Sequence, residues 1–130
     1  MQEADEARSE PRGELALRTL AMPKNTNPSG DIFGGWIMSL MDLAAGLAAT
    51  GRANGRVVTA AVSRLAFLAP VKVGDAVCCY AHLVRVGRSS MIYDIETWAL
   101  PQRLPGARLK VTEAQFTMVA VDENGRPRPL

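Results

Sequence analysis

The stretch DIFGGWIMSLMDLAAGLAATG, residues 31–51, decides the fold of this 130-residue chain. After its first residue it contains a single ionisable side chain, that of Asp42. An apolar segment of this length predicts a helix that other structure covers over most of its surface. Two adjacent glycines, Gly34 and Gly35, lie near its start. The stretch therefore predicts a central helix, and its glycines and its carboxylate require a separate explanation.

The segments around this helix alternate between apolar runs and turn-forming sequence. ELALRTL, residues 14–20, precedes a loop rich in Pro, Asn, Ser and Gly. Four segments rich in Val, Ile, Leu, Tyr, Thr and Phe follow the helix, at residues 56–68, 75–86, 89–100 and 109–121. Each has the composition of a strand, and the short VGRSS connection predicts a hairpin. The order predicts an α+β fold in which an antiparallel sheet of about five strands covers one helix.

Length and composition predict one soluble globular domain. Residues 1–12 are polar and mixed in charge, so we expect a disordered tail before a domain over residues 13–130. No signal peptide or membrane span is expected, and the location expected is the cytoplasm. A net charge of +2 does not argue for nucleic acid. We expect no metal, because the sequence has no His/Cys cluster, and no bridge between the adjacent Cys78 and Cys79.

A helical wheel places six apolar residues of the central segment on one stripe, which predicts the face that packs on the sheet. They are Phe33, Ile37, Leu40, Ala44, Leu47 and Ala48. The opposite stripe contains only small or polar residues: Gly35, Ser39, Asp42, Gly46 and Ala49. Since a helix that faces water normally carries Lys, Glu, Arg or Gln there, we expect this stripe to face another subunit or a bound molecule.

Two interpretations of Asp42 remain open on the sequence. A structural carboxylate would be partly exposed, or paired with an arginine or a backbone N–H. A functional carboxylate would explain why a helix made to be buried holds a group whose unpaired burial costs several kcal/mol. The residue types alone leave both interpretations standing.

The start of the helix predicts a second functional element. The N–H groups of a first helical turn have no partner inside the helix, and Gly34 and Gly35 have no side chain to block approach to them. Such N–H groups stabilise an anion or a developing oxyanion, although capping and plain packing explain the glycines equally well. Asp31 is expected to cap the helix. Seven residues, about 10 Å along the axis, separate Gly35 from Asp42, so joint action requires two subunits.

The sequence resembles the YciA-type acyl-CoA thioester hydrolases, within the hotdog-fold thioesterases, over about nine-tenths of the chain. The matching stretches include LRTLAMPKNTNPSGDIFGGWIMSLMDLAAG, GRVVTAAV, FLAPVKVGDAVCCYA, VGRSS and TEAQFTMVAVDENGRPRPL. The combination N-x-x-G-D-x-x-G-G-W, M-x-x-M-D and P-V-x-V-G-D is specific. The resemblance implies a single hotdog domain, in which a curved antiparallel sheet wraps a long central helix.

The resemblance also implies hydrolysis of acyl-CoA to free CoA and a carboxylic acid, with CoA as part of the substrate and no separate cofactor. The family's catalytic aspartate falls on Asp42, its active-site asparagine on Asn27, and its oxyanion glycines on Gly34 and Gly35. Asp42 would act as general base toward water or as nucleophile, and the sequence leaves both open. The resemblance implies a site shared across a dimer and a homo-oligomer built as a trimer of dimers, without nucleic acid or membrane partners.

The CoA moiety is heavily phosphorylated, so we expect basic side chains and free N–H groups along its path. The best candidates form the VGRSS turn: Gly87, Arg88, Ser89 and Ser90. An ordinary solvated turn is the alternative interpretation. Val58 and Phe67 are expected to line the acyl or pantetheine channel, although core packing explains either residue alone.

Three other classes of function compete with hydrolysis. A dehydratase of related fold pairs a histidine with a carboxylate, but the only histidine, His82, lies in a predicted strand away from the helix start. A non-catalytic acyl-CoA-binding module would keep the phosphate contacts without needing Asp42. A purely structural oligomer would use the Gly/Asp stripe for packing only.

Overall fold

A computed structural model describes residues 10–130 as one helix and five strands. The elements, in chain order, are β1 (Glu14–Leu20), a 3-10 turn (Pro23–Asn25), α1 (Gly34–Ala53), β2 (Val57–Phe67), β3 (Ala76–Val86), β4 (Ser90–Leu100) and β5 (Leu109–Ala120). Every predicted strand is present within one or two residues. The predicted α+β fold, one long helix against an antiparallel sheet, is confirmed.

The five strands form one antiparallel sheet in the order β1-β3-β4-β5-β2. The predicted hairpin joins β3 to β4, and its turn is closed by the Gly87 N–H, which donates to the Ser90 carbonyl at 2.8 Å. β1 and β2 are the edge strands, and α1 contacts all five strands. The long strand β2 therefore has one edge bonded to β5 and one edge unpaired.

The core lies between the concave side of the sheet and an alanine-rich side of α1. The helix buries Ile37, Met41, Ala44, Ala45, Ala49 and Ala53. Small side chains allow the helix axis to approach the sheet closely, and Met41, Met91, Ile95 and Met118 fill the remaining space. All four of these side chains are buried.

The predicted helix faces are partly wrong. Phe33 and Leu47, predicted to pack on the sheet, are 54% and 51% exposed, whereas Ala49, predicted on the opposite stripe, is completely buried. The wheel assigned the larger apolar residues to the sheet. The structure instead turns the helix so that Ile37, Met41 and four alanines face the sheet, because the side that contains Ala45, Ala49 and Ala53 packs more closely than one that contains Leu43 or Leu47. Leu43 and Leu47 consequently point outward.

The start of α1 also differs from expectation, and its end depends on a distant residue. Asp31 does not cap the helix: Phe33 occupies the cap position without a side-chain hydrogen bond, and the Asp31 carboxylate pairs with the Lys72 ammonium. The helix continues through Gly51 and ends at Asn54, whose φ of 52° is left-handed. The Arg128 guanidinium donates to the Ala53 carbonyl at 2.9 Å and so satisfies the C-terminal end of the helix.

The predicted N-terminal tail, residues 1–12, lies mostly outside the described residues. Within the described part, the Arg12 N–H donates to Glu96 Oε1 at 3.2 Å, and the Arg12 guanidinium lies 3.6 Å from Asp94 Oδ2. The chain is therefore in contact with the convex side of the sheet from Arg12 onward. Among residues 10–130, no helix is both long enough and apolar enough to cross a membrane.

Candidate active site

The Asp42 carboxylate lies on the outward side of α1 and has one hydrogen-bond partner among the described residues. Thr59 Oγ1, on β2, donates a hydrogen bond of 2.6 Å to Asp42 Oδ1. Asp42 is exposed in the single chain, so the expectation of a buried carboxylate is not met there. The second carboxylate oxygen, Oδ2, has no hydrogen-bond partner within residues 10–130. One oxygen is thus held in place while the other is available to a ligand or to water.

Thr59 was not identified from the sequence. The register of β2 on β5 pairs Thr59 with Met118, and this places the hydroxyl beside the middle of α1. The only sequence signal is a hydroxyl in the otherwise apolar run VVTAAV. That signal is weak because threonine is common in strands.

Asp42 and Thr59 line an open groove of about 620 Å³ between α1 and β2, called here the Asp42 groove. Aliphatic and small residues form most of its wall: Leu43, Gly46, Leu47, Gly51, Val57 and Met118. A carboxylate beside an aliphatic groove suits a ligand that is apolar on one side of a reacting centre. The small and polar stripe predicted from the sequence contributes Asp42 and Gly46 to this groove.

The first turn of α1 presents two unbonded backbone donors. The Phe33 N–H donates to the Asn25 carbonyl at 2.7 Å and the Trp36 N–H to the Phe33 carbonyl at 3.1 Å. Gly34 and Gly35 lie between these two residues, and their N–H groups have no acceptor within residues 10–130. Free amides at the positive end of a 20-residue helix can bind an oxyanion.

Two aromatic rings flank these glycines, a feature that the sequence did not indicate. A methyl group added at Gly35 would lie 2.7 Å from the Phe33 ring, and one at Gly34 would lie 3.4 Å from the Phe67 ring. Phe33 and Phe67 are both about half exposed. The helix start is therefore reached between two apolar rings, and Phe67 lies where the sequence analysis expected a channel residue.

Asn27 lies in a turn, and its side chain accepts hydrogen bonds from the backbone of that turn. Its Oδ1 accepts the N–H groups of Ser29 at 2.9 Å and Asp31 at 3.2 Å. Because both groups are N–H donors, the amide atom that faces them is the oxygen. The Asn27 Nδ2 has no acceptor within residues 10–130. Asn27 is therefore a turn residue, and its amide nitrogen is also available to donate to a ligand.

Within one chain, the Asp42 carboxylate and the N–H groups of Gly34 and Gly35 do not lie together. Asp42 follows Gly35 by seven residues on the same helix, about 10 Å along the axis. Thr59 is near the start of β2, whereas Phe67, beside Gly34, is its last residue. A single chain thus carries the Asp42 carboxylate and the unbonded amides of Gly34 and Gly35 at two separate places.

The VGRSS turn lies at the opposite end of the sheet from Phe67. Val58 pairs with Val119, and Val119 pairs with Ser90, so Val58 and the turn occupy the same row of the sheet. The Arg88 side chain is exposed and has no ion-pair partner within residues 10–130. Val58 and Phe67 pair with Val119 and Thr112 of β5, which are seven residues apart, so about 23 Å separates the two positions along the sheet. The residues predicted to bind CoA therefore form two groups in one chain. Val58 and the VGRSS turn form one group, and Phe67 lies apart from them.

Other reactive side chains lie away from Asp42 and from the start of α1. The two cysteines are buried and free. Burial raises the pKa of the Cys79 thiol to about 11, which leaves it protonated at neutral pH. His82 is exposed on β3 opposite Asp94. Across residues 10–130, no group of three His, Cys, Asp or Glu residues could hold a metal ion.

Comparison with known proteins gives consistent matches over nearly the whole chain. A family model described as the thioesterase superfamily matches residues 29–105. Acyl-CoA thioester hydrolase YciA of Salmonella typhimurium is 54% identical over 122 residues, covering 92% of each chain. The crystal structure of the hexameric thioesterase y2039 from Yersinia pestis is 54% identical, with a TM-score of 0.89, and the match covers 93% of this chain and 98% of that one.

A further solved structure, HI0827, is a hexameric broad specificity acyl-coenzyme A thioesterase with 52% identity and a TM-score of 0.87. That match covers 92% of this chain and 82% of the other. Identity above half, over nine-tenths of the sequence, is far beyond what a shared fold alone requires. The chain belongs to the thioesterase superfamily and, within it, to the family of the YciA acyl-CoA thioester hydrolases.

Proposed function

We propose that this protein hydrolyses acyl-CoA thioesters to free CoA and a carboxylic acid. The observation that carries the proposal is the exposed Asp42 carboxylate, which Thr59 holds at the edge of an aliphatic groove. A thioester has an apolar acyl chain on one side of its carbonyl, and this groove offers matching surface beside a carboxylate. The relatives named acyl-CoA thioester hydrolases support the same reaction.

The site is proposed to form between two subunits, with the carboxylate half from one and the amide half from the other. The Gly34 and Gly35 amides lie too far from Asp42 in one chain to act on the same carbonyl. Strand β2 has a free edge, and its Val58 and Val62 are exposed, as is Leu43 on the adjoining side of α1. Pairing of two such edges would extend the sheet and cover these side chains. The hexameric relatives support a homo-oligomer, here a trimer of dimers.

The proposed chemistry uses each half for one task. The Gly34 and Gly35 amides, with Asn27 Nδ2, stabilise the negative charge that develops on the thioester oxygen. Asp42 Oδ2 accepts a proton from water as the water oxygen bonds to the carbonyl carbon. Collapse of the tetrahedral intermediate breaks the C–S bond, and the proton on Asp42 passes to the departing thiolate. Thr59 orients the carboxylate by occupying its other oxygen.

A nucleophilic Asp42 is the competing mechanism. Its Oδ2 would attack the carbonyl carbon and displace the thiolate, and water would then cleave the mixed anhydride. Single-turnover hydrolysis in ¹⁸O-water tests for the anhydride, because label in Asp42 arises only through it. Direct water attack puts the label into the acid product alone, whereas attack on the carboxylate carbon of an anhydride leaves label in Asp42.

Recognition of CoA is assigned to the two groups of predicted residues. Arg88, with Gly87, Ser89 and Ser90 of the turn, is proposed to bind the phosphates, because its guanidinium is exposed and free of an ion pair within residues 10–130. Val58 and Phe67, both exposed, are proposed to contact the pantetheine or the acyl chain from different subunits.

The experiment that tests this function is free-thiol release from acyl-CoAs of increasing chain length, with Asp42→Asn beside the wild type. The variant preserves shape but cannot accept a proton, so we expect hydrolysis to fall by at least about a hundredfold while the oligomer persists. Asp94→Asn, a carboxylate on the convex side of the sheet, is the matched control. Wild-type turnover by Asp42→Asn would contradict the assignment. Binding of acyl-CoA without thiol release would favour a non-catalytic binding module.

A further inference from the structure

The loop of residues 26–33 leads from the 3-10 turn into α1 and carries Asn27. An antiparallel bridge between Thr26 and Ile32 joins its two ends. Inside the bridge, the Asn27 N–H donates to the Asp31 carbonyl at 2.7 Å. The loop is thus a short closed turn, and its position determines where the Asn27 amide lies relative to the first turn of α1.

The turn of residues 72–75 lies beside this loop, and hydrogen bonds fix its backbone. The Lys72 N–H donates to Asp75 Oδ2 at 3.0 Å, and the Asp75 N–H donates to the Lys72 carbonyl at 3.1 Å. The Gly74 N–H donates to the Ala21 carbonyl at 2.8 Å, and the Ala21 N–H donates to the Asp75 carbonyl at 2.9 Å. The Lys72 side chain therefore projects from a backbone that is held independently of the loop.

Two contacts connect this turn and the residue before it to the loop. The Ile32 N–H donates to the Val71 carbonyl at 3.2 Å, and the Lys72 ammonium forms an ion pair with the Asp31 carboxylate. The Asp31 N–H donates in turn to Asn27 Oδ1 at 3.2 Å. A chain of contacts thus runs from Lys72 through Asp31 to the amide whose Nδ2 is available to a ligand.

The ion pair between Lys72 and Asp31 is better suited to local positioning than to overall stability. The two side chains are 47% and 42% exposed. Exposed ion pairs contribute little to the free energy of unfolding, because water screens the charges and two side chains lose freedom. Within residues 10–130, neither side chain has a second ion-pair partner. The pair therefore restrains one residue of the loop at little consequence for the fold.

We propose that Lys72 is a positioning residue for hydrolysis, and that it acts through Asp31 to hold the Asn27 amide toward the developing oxyanion. This inference rests on the proposed function, in which Asn27 Nδ2 donates to the thioester oxygen. A donor that shifts or turns loses much of its effect, because hydrogen bonds weaken steeply as their geometry worsens. Loss of the Lys72 contact should therefore slow the chemical step and leave the binding of acyl-CoA nearly unchanged.

The test is a double-mutant cycle on thiol release from acyl-CoA, with Lys72→Met, Asp31→Ala and the double variant. We expect each single variant to lower kcat by about fivefold, with a KM within about twofold of the wild type. Because Lys72 acts through Asp31, the double variant should be no slower than Asp31→Ala alone. Lys72→Arg keeps the charge and should recover most of kcat.

Lys24→Met is the matched control. Lys24 is an exposed residue of the 3-10 turn before the loop, and it has no ion-pair partner within residues 10–130. Its substitution removes the same charge from the same end of the molecule, so kcat should stay at the wild-type value. The melting temperatures of Lys72→Met and Lys24→Met should both match that of the wild type.

Four outcomes would overturn the inference while thiol release by the wild type leaves the proposed function intact. The first is an unchanged kcat in Lys72→Met. The second is a double variant whose loss is the product of the two single losses, since the side chains would then act separately. The third is a raised KM at unchanged kcat, which would assign Lys72 to direct contact with the anionic CoA moiety. The fourth is a loss of activity that Lys72→Arg does not recover and a lower melting temperature accompanies. Absence of thiol release from the wild type with every acyl-CoA would instead reject the proposed function, and the inference with it.

Discussion

At the scale of single residues, the pair formed by Asp42 and Thr59 is the most informative feature of the molecule. The carboxylate is fixed through one oxygen by a 2.6 Å hydrogen bond, and its other oxygen has no partner in the described part of the chain. The role of Thr59 is to orient a group that itself contacts substrate, which makes Thr59 a positioning residue in the proposed mechanism. Its exposed location on an edge strand allows its substitution without disturbing the core.

Replacing Thr59 with valine tests this positioning role. Valine keeps the shape and the strand preference but cannot donate, so we expect kcat to fall by about tenfold with the KM for acyl-CoA nearly unchanged. Thr59→Ser restores the donor and should recover most of kcat, which a merely structural role would not predict. The melting temperatures of both variants should stay close to that of the wild type. Equal kcat in Thr59→Val and the wild type would exclude the role.

At the scale of elements, α1 depends on a group far away in the sequence. Arg128 follows Ala53 by 75 positions and donates to its carbonyl at 2.9 Å and to the Val121 carbonyl at 3.2 Å. A cation at a helix C-terminus also interacts favourably with the helix dipole. The C-terminal segment therefore fixes the C-terminal end of α1.

Substitution Arg128→Ala should lower the free energy of unfolding by about 1–2 kcal/mol, since it leaves the end of α1 without this donor and cation. Chemical denaturation followed by circular dichroism measures the change. Arg126→Ala, an exposed arginine two residues away, is the control and should change stability by less than about 0.5 kcal/mol. Equal stabilities of the two variants would show that the Arg128 contacts contribute nothing.

The β3–β4 turn provides the second prediction at this scale. If Arg88 binds a phosphate of CoA, Arg88→Ala should raise the KM for acyl-CoA by about tenfold while kcat stays within twofold. The KM of the wild type should rise with ionic strength, and that of the variant should rise less, because a screened charge pair has been removed. A variant whose KM and salt dependence match those of the wild type would place phosphate recognition elsewhere.

At the scale of the whole molecule, the exposed edge of β2 points to assembly. Val62 is 44% exposed on this strand. We expect Val62→Lys to reduce the molecular mass in light scattering and to abolish thiol release together, since a shared site requires the dimer. Val73→Lys, a valine 43% exposed outside the strands, is the control and should retain both properties. An active monomer would contradict the shared site.

The sequence determined the element order and the antiparallel sheet, because hydrophobic periodicity and turn residues are local signals, and its motifs carried the resemblance to the family. It also identified Asp42, Gly34, Gly35 and Asn27 as candidates, since the resemblance rests on contiguous motifs. The catalytic and CoA-binding roles of these and the other candidate residues stay predictions.

Only the tertiary structure decided which side of α1 meets the sheet, which placed Ala49 in the core and Leu47 outside. It alone paired Asp42 with Thr59, joined Arg128 to the end of the helix and formed the Asp42 groove between α1 and β2. The physical reason is common to all of these features. Each depends on contacts between residues distant in sequence, whose strand register and close packing no local pattern specifies.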